Sequence, residues 1–239
     1  MKELGARAVL QELRMNVLSN NLANINTSGF KEDAVAFRIP SQGLAGSNNE
    51  KWISDPYRTA STRIHMDQGQ LRETGNPLDL ALHGKGLFCV RTDTGEEYTR
   101  NGGFMADGQG RLVTSEGFPV LGRERQEIRL EAGFVHVDEG GNITVDGIPS
   151  GRLLIVEPGD PGLLSKSTDT RFSLPEDALL VEIENPTVKQ GFIEGSNVNA
   201  IRAMTDMIEV VRGYETYHKI MHVLNEANQK SINEVGKLK

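Results

Sequence analysis

Cysteine is all but missing. Cys89 is the single thiol in 239 residues, which excludes an internal disulfide and says little else about compartment. Aromatic residues make up only 5% of the chain and hydrophobic residues 37%, so the core is expected to be aliphatic and modest. No stretch approaches the ~20 apolar residues of a membrane span. The N-terminus lacks the basic head, apolar centre and small-residue cleavage site of a secretory signal. Either the protein is cytosolic or it leaves by a route that removes nothing. Positive charge is in deficit too: the net charge is −7 and the sequence pI near 5.3, which argues against a nucleic-acid or anionic-membrane partner.

The charge is unevenly placed. Residues 1–38 and residues 200–239 each carry a net +1, and the −9 held between them completes the total of −7. Near-neutral ends can pack against copies of themselves without strong repulsion, while an acidic middle stays in solution. Glycine, by contrast, is plentiful at 26 residues, and points to a middle rich in turns.

The C-terminal stretch predicts a long helix. Steps of three and four give a seam through Met204, Met207, Val211, Tyr214, His218, Met221, Asn225, Asn228, Ile232 and Val235, the spacing of a coiled coil. Ile201, Ile208, Ile220 and Leu224 widen the apolar face. Asn197 or Asn199 is placed to cap the start, and no proline interrupts the chain beyond it. Glu3–Ile25 predicts a second helix, with Leu10, Leu13 and Val17 on one stripe and Leu4, Ala8, Met15, Leu18, Leu22 and Ile25 on the next. Gly29 suits the left-handed position beyond a helix end. Asn is a mediocre helix former, so Asn20, Asn21 and Asn24 in the last turns suggest amides bonding across a helix contact, where a buried Asn fixes register.

Between the helices, Phe30–Phe37 reads as extended and Ser41–Asn49 as a flexible loop. From Thr62 onward short apolar runs alternate with turns: Leu78–Leu82, a buried run Leu87–Val90, Arg111–Thr114, Ile128–Leu130, Phe134–Val137, Ile143–Val145 and Arg152–Val156. No repeat period emerges. The expected fold class is α+β, with the N- and C-terminal helices packed as a coiled coil and a central, mostly antiparallel β domain of the sandwich or distorted-barrel kind. The corresponding segments are 1–29, an N-terminal helix; 30–61, an extended connector; 62–190, the β domain; and 191–239, the C-terminal helix.

Candidate chemistry is thin. His218 and His222 are four apart on one helix, a metal-ligand spacing, but position 219 is Lys, and no Cys or further His stands nearby to complete a shell. Gly84-Lys-Gly86 lacks the earlier glycine and the following Ser/Thr of a phosphate loop. Asp93, Asp107 and Asp138 sit in turn sequences, where Asp bonds its own backbone. Cys89 lies in an apolar run, where a thiol stays protonated. No nucleophile, base and orienter are brought together. No catalytic residue, cofactor or metal is expected, and the protein is not expected to be an enzyme.

Two helical ends with wide apolar faces bracket a β domain. Because those faces exceed a two-helix seam, further copies are expected as neighbours, and a head-to-tail rotation that does not close builds a filament. A closed coiled-coil oligomer with a β-domain binding head, and a hydrolase or metalloprotein, are the alternatives.

The motifs sharpen this. Asn20-Asn-Leu-Ala-Asn-Ile-Asn-Thr-Ser-Gly-Phe-Lys31 resembles the signature near the start of the bacterial flagellar rod, hook and hook-associated proteins. Gly69–Leu82, Tyr98-Thr-Arg-Asn-Gly102 and Gly117–Gly122 are similar to the β-domain motifs of the rod members. Gln190–Ala200 with Met204–Tyr214 is similar to their C-terminal signature. These matches run in family order across nearly the whole chain. Within the group, Glu194–Ala200 and Met204–Ile208 look closer to a proximal than to a distal rod subunit. The resemblance implies a structural subunit of the basal-body rod, in the periplasm-spanning axle that carries torque from motor to hook. It implies export without a cleaved signal peptide by the flagellar type III apparatus, and assembly with other rod proteins and with copies of itself. Nucleic acid and direct membrane insertion are not expected. The expected assembly interface is Leu10, Leu13, Val17, Asn20, Asn21, Leu22, Asn24, Met204, Met207, Ile208, Val211, Tyr214, Met221, Ile232 and Val235.

Overall fold

The structure, a computed structural model, describes residues 2–37 and 60–236; of these, the side chains of 2–8, 37, 60, 61, 228 and 231–236 are not described. The expected loop at Ser41–Asn49 lies outside the described residues. Two compact units divide the chain. Of the described residues, one gathers 2–22, 33–37, 60–63 and 199–236; the other holds 23–32 and 64–198.

The β unit is arranged around one strand, Leu87–Thr92. A six-stranded sheet runs in the order Ser165–Lys166, Arg171–Ser173, Gly95–Thr99, Leu87–Thr92, Ile155–Pro158 and Leu180–Glu182, with neighbours antiparallel. Side chains alternate across a strand, and here both faces are covered. Phe88 and Val90 enter one aliphatic core with Leu80, Leu112, Val120, Ile143 and Ile155. Leu87 and Cys89 enter another with Tyr98, Leu121, Leu154 and Phe172. A strand buried on both faces reads as a continuous apolar run, as this one does. The hairpin back to Gly95–Thr99 aligns Cys89 with Tyr98 and Thr92 with Gly95.

A three-stranded sheet, Ile148–Arg152, Asn142–Val145 and Val135–Val137, closes one side, with a register shift between Ile143 and Thr144. Leu80–Leu82 pairs with Val188–Gln190, and Leu71–Glu73 with Phe192–Glu194. The end of the unit's chain is thus threaded back beside its beginning. Ile128–Leu130, expected as a strand, makes isolated bridges instead: Arg129 opposes Arg111, and Glu127 opposes Leu121.

The other unit carries α1 (Lys2–Ala23) and α2 (Ala200–Gly236), with the strand pair Asp33–Phe37 and Ala60–Ile64. At 1.5 Å per residue, α2 is roughly 55 Å long. Asn199, not Asn197, caps it: Asn199 Oδ1 accepts the Arg202 N–H at 3.0 Å, the third residue of the helix.

The expected fold class does not hold. The described chain is mostly β strand, curled into a half-barrel, with two helices, and no coiled coil between the terminal helices is evident. The physical reason lies in which residues the helices cover. On α2 the buried residues are Ala203 and Val210, one position off the expected seam. Where α1 and α2 approach, Gly213 faces the Gln11 amide, which a Cβ on Gly213 would meet at 3.7 Å. A glycine and a polar amide are not knobs that fill a hydrophobic hole.

Candidate assembly surfaces and the buried charge cluster

On α2 the less exposed positions follow Ala203, Met207, Val210, Tyr214, Tyr217 and Met221, in steps of four and three. Of the expected interface, Met207, Val211, Tyr214 and Met221 are half-buried on or beside this stripe. Met204 and Ile208 are not: they keep 52% and 55% of their surface, beside Ile201 at 80%. Ile201, Met204, Ile208 and Val211 are themselves spaced as one helical face. Further along, Ile220, Val223 and Leu224 form a second exposed apolar patch. The side chains of Ile232 and Val235 lie outside the described residues.

On α1, Val17 and Asn21 are buried, Leu10, Leu13 and Leu22 are half-buried and Asn20 is exposed; Asn24, just beyond the helix, is half-buried. The side chains of Leu4 and Ala8 lie outside the described residues. Asn21 has a role within its own chain. Its Nδ2 donates to the Asp33 carbonyl at 2.8 Å, and its Oδ1 accepts the Asp33 N–H at 3.0 Å. The amide therefore acts as a backbone mimic, pairing with the first residue of the strand Asp33–Phe37. Asn24 Oδ1 accepts the Thr27 hydroxyl at 3.0 Å, which tightens the turn beyond the helix.

Gly29, at φ +73°, leads that turn into the β unit. A Cβ there would lie 2.2 Å from the Asn101 backbone nitrogen, so no other residue fits without displacing the chain. The two residues after it, Phe30 and Lys31, are fully buried. Lys31 Nζ meets Glu194 Oε1 at 2.6 Å and the Asp67 carbonyl at 2.7 Å. Glu194 Oε1 also accepts the Gly69 N–H at 2.9 Å. Arg100 Nη1 stands 3.6 Å from Glu194 Oε2, and Arg100 Nη2 donates to the Gly84 carbonyl. Burial pushes both Lys31 and Arg100 below their usual range, while Glu194 pulls each back up. Around this cluster, Asn197 bonds the Glu32 N–H and the His65 and Asp67 carbonyls. Lys166 bonds the Lys31 carbonyl at 2.7 Å and lies 3.9 Å over the Phe30 ring.

Lys31, Arg100, Glu194 and Asn197 fall inside the sequence motifs, but the sequence alone assigns the three charged residues no role, and Asn197, a candidate helix cap, instead bonds the backbone around Lys31. The signal available was a charge set directly after a large apolar residue, in Phe30-Lys31 and Ile193-Glu194. A lysine or glutamate is rarely fully buried unless paired.

The other candidates have ordinary surroundings. His218 stacks edge-on against Tyr214 with centroids 4.3 Å apart, and His222 Nδ1 lies 3.5 Å from Glu226. Among the described residues, no group of three His, Cys, Asp or Glu side chains is placed to hold a metal. Lys85, between two glycines of positive φ, pairs with Glu157 at 2.9 Å. Asp107 and Asp138 bond nearby backbone N–H groups as turn residues do. Burial raises the Cys89 thiol well above its usual range. No helix of the described residues is long and apolar enough to cross a membrane.

Comparison with known proteins bears on all of these segments. The family model described as flagella basal body rod protein matches residues 7–31. That of the flagellar hook protein FlgE/F/G D1 domain matches 81–146, and that of the flagellar basal body rod FlgEFG protein C-terminal matches 189–234. Among full-length relatives, the flagellar basal-body rod protein FlgF of Caulobacter vibrioides is 31% identical, over 98% of this chain and 96% of its own. FlgF of Escherichia coli is 34% identical over 88% of this chain and 87% of its own. The rod protein FlgG of Buchnera aphidicola subsp. Schizaphis graminum is 29% identical over 92% and 93%.

Proposed function

The chain belongs to the family of flagellar basal-body rod proteins, and on that basis we propose that it is a structural rod subunit engaging its neighbours through the exposed apolar faces of its two helices. The family is one of structural proteins of the flagellar basal body, not a class of enzymes. The observation that carries the proposed surface is the stripe Ile201, Met204 and Ile208, at 80%, 52% and 55% exposure on a helix of 37 residues. Burying such a side chain contributes about 1.5–3 kcal/mol. A stripe left open on the single chain marks a surface that another subunit can cover.

The remaining interface residues fit the same reading: Leu10, Leu13 and Leu22 on α1, and Met207, Val211, Tyr214 and Met221 on α2 are half-covered and gain most from a further neighbour. Val17 and Asn21 support the surface from beneath. The partners are other rod proteins and copies of this chain. The flagellar type III apparatus delivers it, and neither nucleic acid nor membrane insertion enters its work. Torque passes through an array of such contacts.

Within the rod we assign it to the proximal part. FlgF relatives span 28% to 34% identity and FlgG relatives 29% to 30%, so the assignment is carried by Glu194–Ala200 and Met204–Ile208, which resemble the proximal subunit. By the resemblance of the sequence motifs, Phe37-Arg-Ile-Pro-Ser41 stands where distal subunits usually carry an aromatic, leucine-rich segment.

The test is a full chain carrying Met204→Asp and Ile208→Asp, expressed in cells that lack the native protein. The variant is expected to unfold at the same urea concentration as the native chain, yet to be missing from purified basal bodies and to leave cells non-motile. Normal incorporation into the rod would overturn the assignment of this face.

A further inference from the structure

The buried cluster holds two cations and one anion. Lys31, Arg100 and Glu194 are 0%, 2% and 1% exposed, so among the described residues Glu194 is the one buried anion that pairs with these two buried cations. The exposed Asp67 carboxylate adds a weaker attraction to Lys31. Removing a charge from water without a partner is costly, and like charges raise that cost. The three residues also enter in order along the chain, with Glu194 last, 163 positions after Lys31. Its own strand, Phe192–Glu194, pairs with Leu71–Glu73, and its carbonyl accepts the Gly29 N–H at 2.8 Å.

We propose that Glu194 is the closing charge of the β unit: Lys31 and Arg100 do not stay buried together until its carboxylate arrives, so the unit completes its fold only when the chain is available as far as residue 194. Before that point the sheet around Leu87–Thr92 has the partners for both its cores, none of which lies beyond Val188. The segments Gly29–Glu32, Asp67–Gly69 and Arg100 do not. The consequence is a checkpoint built from charge, which keeps the turn at Gly29 unseated until the strand that precedes α2 is present. The geometry of the cluster supports this by itself, whether or not the chain is a rod subunit.

Three full-chain variants test it: Glu194→Gln, Lys31→Met and the two combined. Glutamine keeps an acceptor for the Gly69 N–H but removes the anion. In hydrogen exchange, Glu194→Gln is expected to lower protection at Gly29–Glu32 and Gly69 by about a hundredfold or more, the scale of an unpaired buried charge. Strand Leu87–Thr92 should lose far less. Lys31→Met leaves Arg100 and Glu194 balanced and should cost less than Glu194→Gln. Adding Lys31→Met to Glu194→Gln removes one of the two cations left without an anion and should restore part of the protection, the remainder staying lost because Arg100 is still unpaired, a coupling of opposite sign to ordinary accumulation of damage. Native protection of Gly29–Glu32 in Glu194→Gln, or no recovery in the combined variant, would overturn the proposal. If Glu194→Gln does not fold at all, folding of the combined variant supports it and continued failure refutes it.

Discussion

In the β unit, four consecutive residues, Leu87 to Val90, are buried on both faces of one strand. On α2, apolar residues of similar size stand open to solvent, and the covered positions are Ala203 and Val210. The two regions hold comparable amounts of grease and use it differently. The β unit meets its own needs, down to a neutralising partner for a fully buried lysine. The helical unit caps the start of α2 with Asn199, but leaves much of its apolar surface uncovered. Stability of the single chain therefore resides in the first, and the proposed assembly surface lies on the second.

The sharpest way to test that contrast is to damage the β core. Phe88 is fully buried, with its ring edge-on to Phe104 at 5.1 Å between centroids. Phe88→Ala is expected to cost about 3–5 kcal/mol, read as a large fall in the urea midpoint of the β signal in circular dichroism. An equally large effect from truncating Ile201 would contradict the division between the units.

A smaller effect is expected at the base of α1. Asn21→Ala strands the N–H and C=O of Asp33, which the amide satisfies at 3.0 and 2.8 Å. Leaving a fully buried polar group unmade costs about 1–3 kcal/mol, and Asp33 is half-buried, so the lower end of that range is expected. Loss of exchange protection should centre on Asp33–Phe37 and spare the six-stranded sheet. Protection lost throughout the β unit would mean that the two regions do not unfold separately.

Acid should act mainly on the β unit, and modestly. The Asp107 carboxyl is held below its usual range, chiefly by the Arg111 backbone N–H, with the Arg111 guanidinium and Gln109 N–H adding to it. Asp138 is lowered likewise, first by the Asn142 side-chain amide. A folded value below the unfolded one gives stability that is complete above the unfolded value and fades as pH falls through the folded one. Urea midpoints should thus decline below about pH 4, and Asp107→Asn with Asp138→Asn should flatten that limb. An unchanged slope would remove these turns from the account.

The contrast also explains what the sequence disclosed. The run Leu87–Val90 is readable as a buried strand because being covered on both faces leaves an unbroken apolar string. The Gly29 turn is readable because only glycine enters that conformation at no cost. The α2 register is easily misread because two apolar stripes run side by side along it, and periodicity alone does not say which faces inward. Methionine and isoleucine outrank alanine on any hydrophobic scale, yet Ala203 is covered and Met204 is not. Small residues are what a close approach admits, as Gly213 opposite Gln11 illustrates. The cluster of Lys31 with Glu194 is hidden for a different reason: its partners are 163 residues apart, and no local pattern links them.

The smallest expected change in the single chain sits on the proposed assembly surface. Ile208→Ser removes an apolar side chain that is already 55% exposed, and substitutions of this kind usually fall within about 0.5 kcal/mol. Thermal and urea unfolding of the monomer should barely move, because without a neighbour this side chain meets mostly water whether the chain is folded or unfolded. In an assembled array the same change deletes a contact from every copy at once, so a small loss per subunit is multiplied along the polymer. The measurement is therefore a pair: monomer stability by urea, and the length or yield of assemblies formed under fixed conditions. Shorter or absent assemblies with an unmoved urea midpoint place Ile208 in an intermolecular contact. A lowered midpoint with normal assembly would return Ile208 to the interior of the single chain, and α2 would then keep no such face for its neighbours.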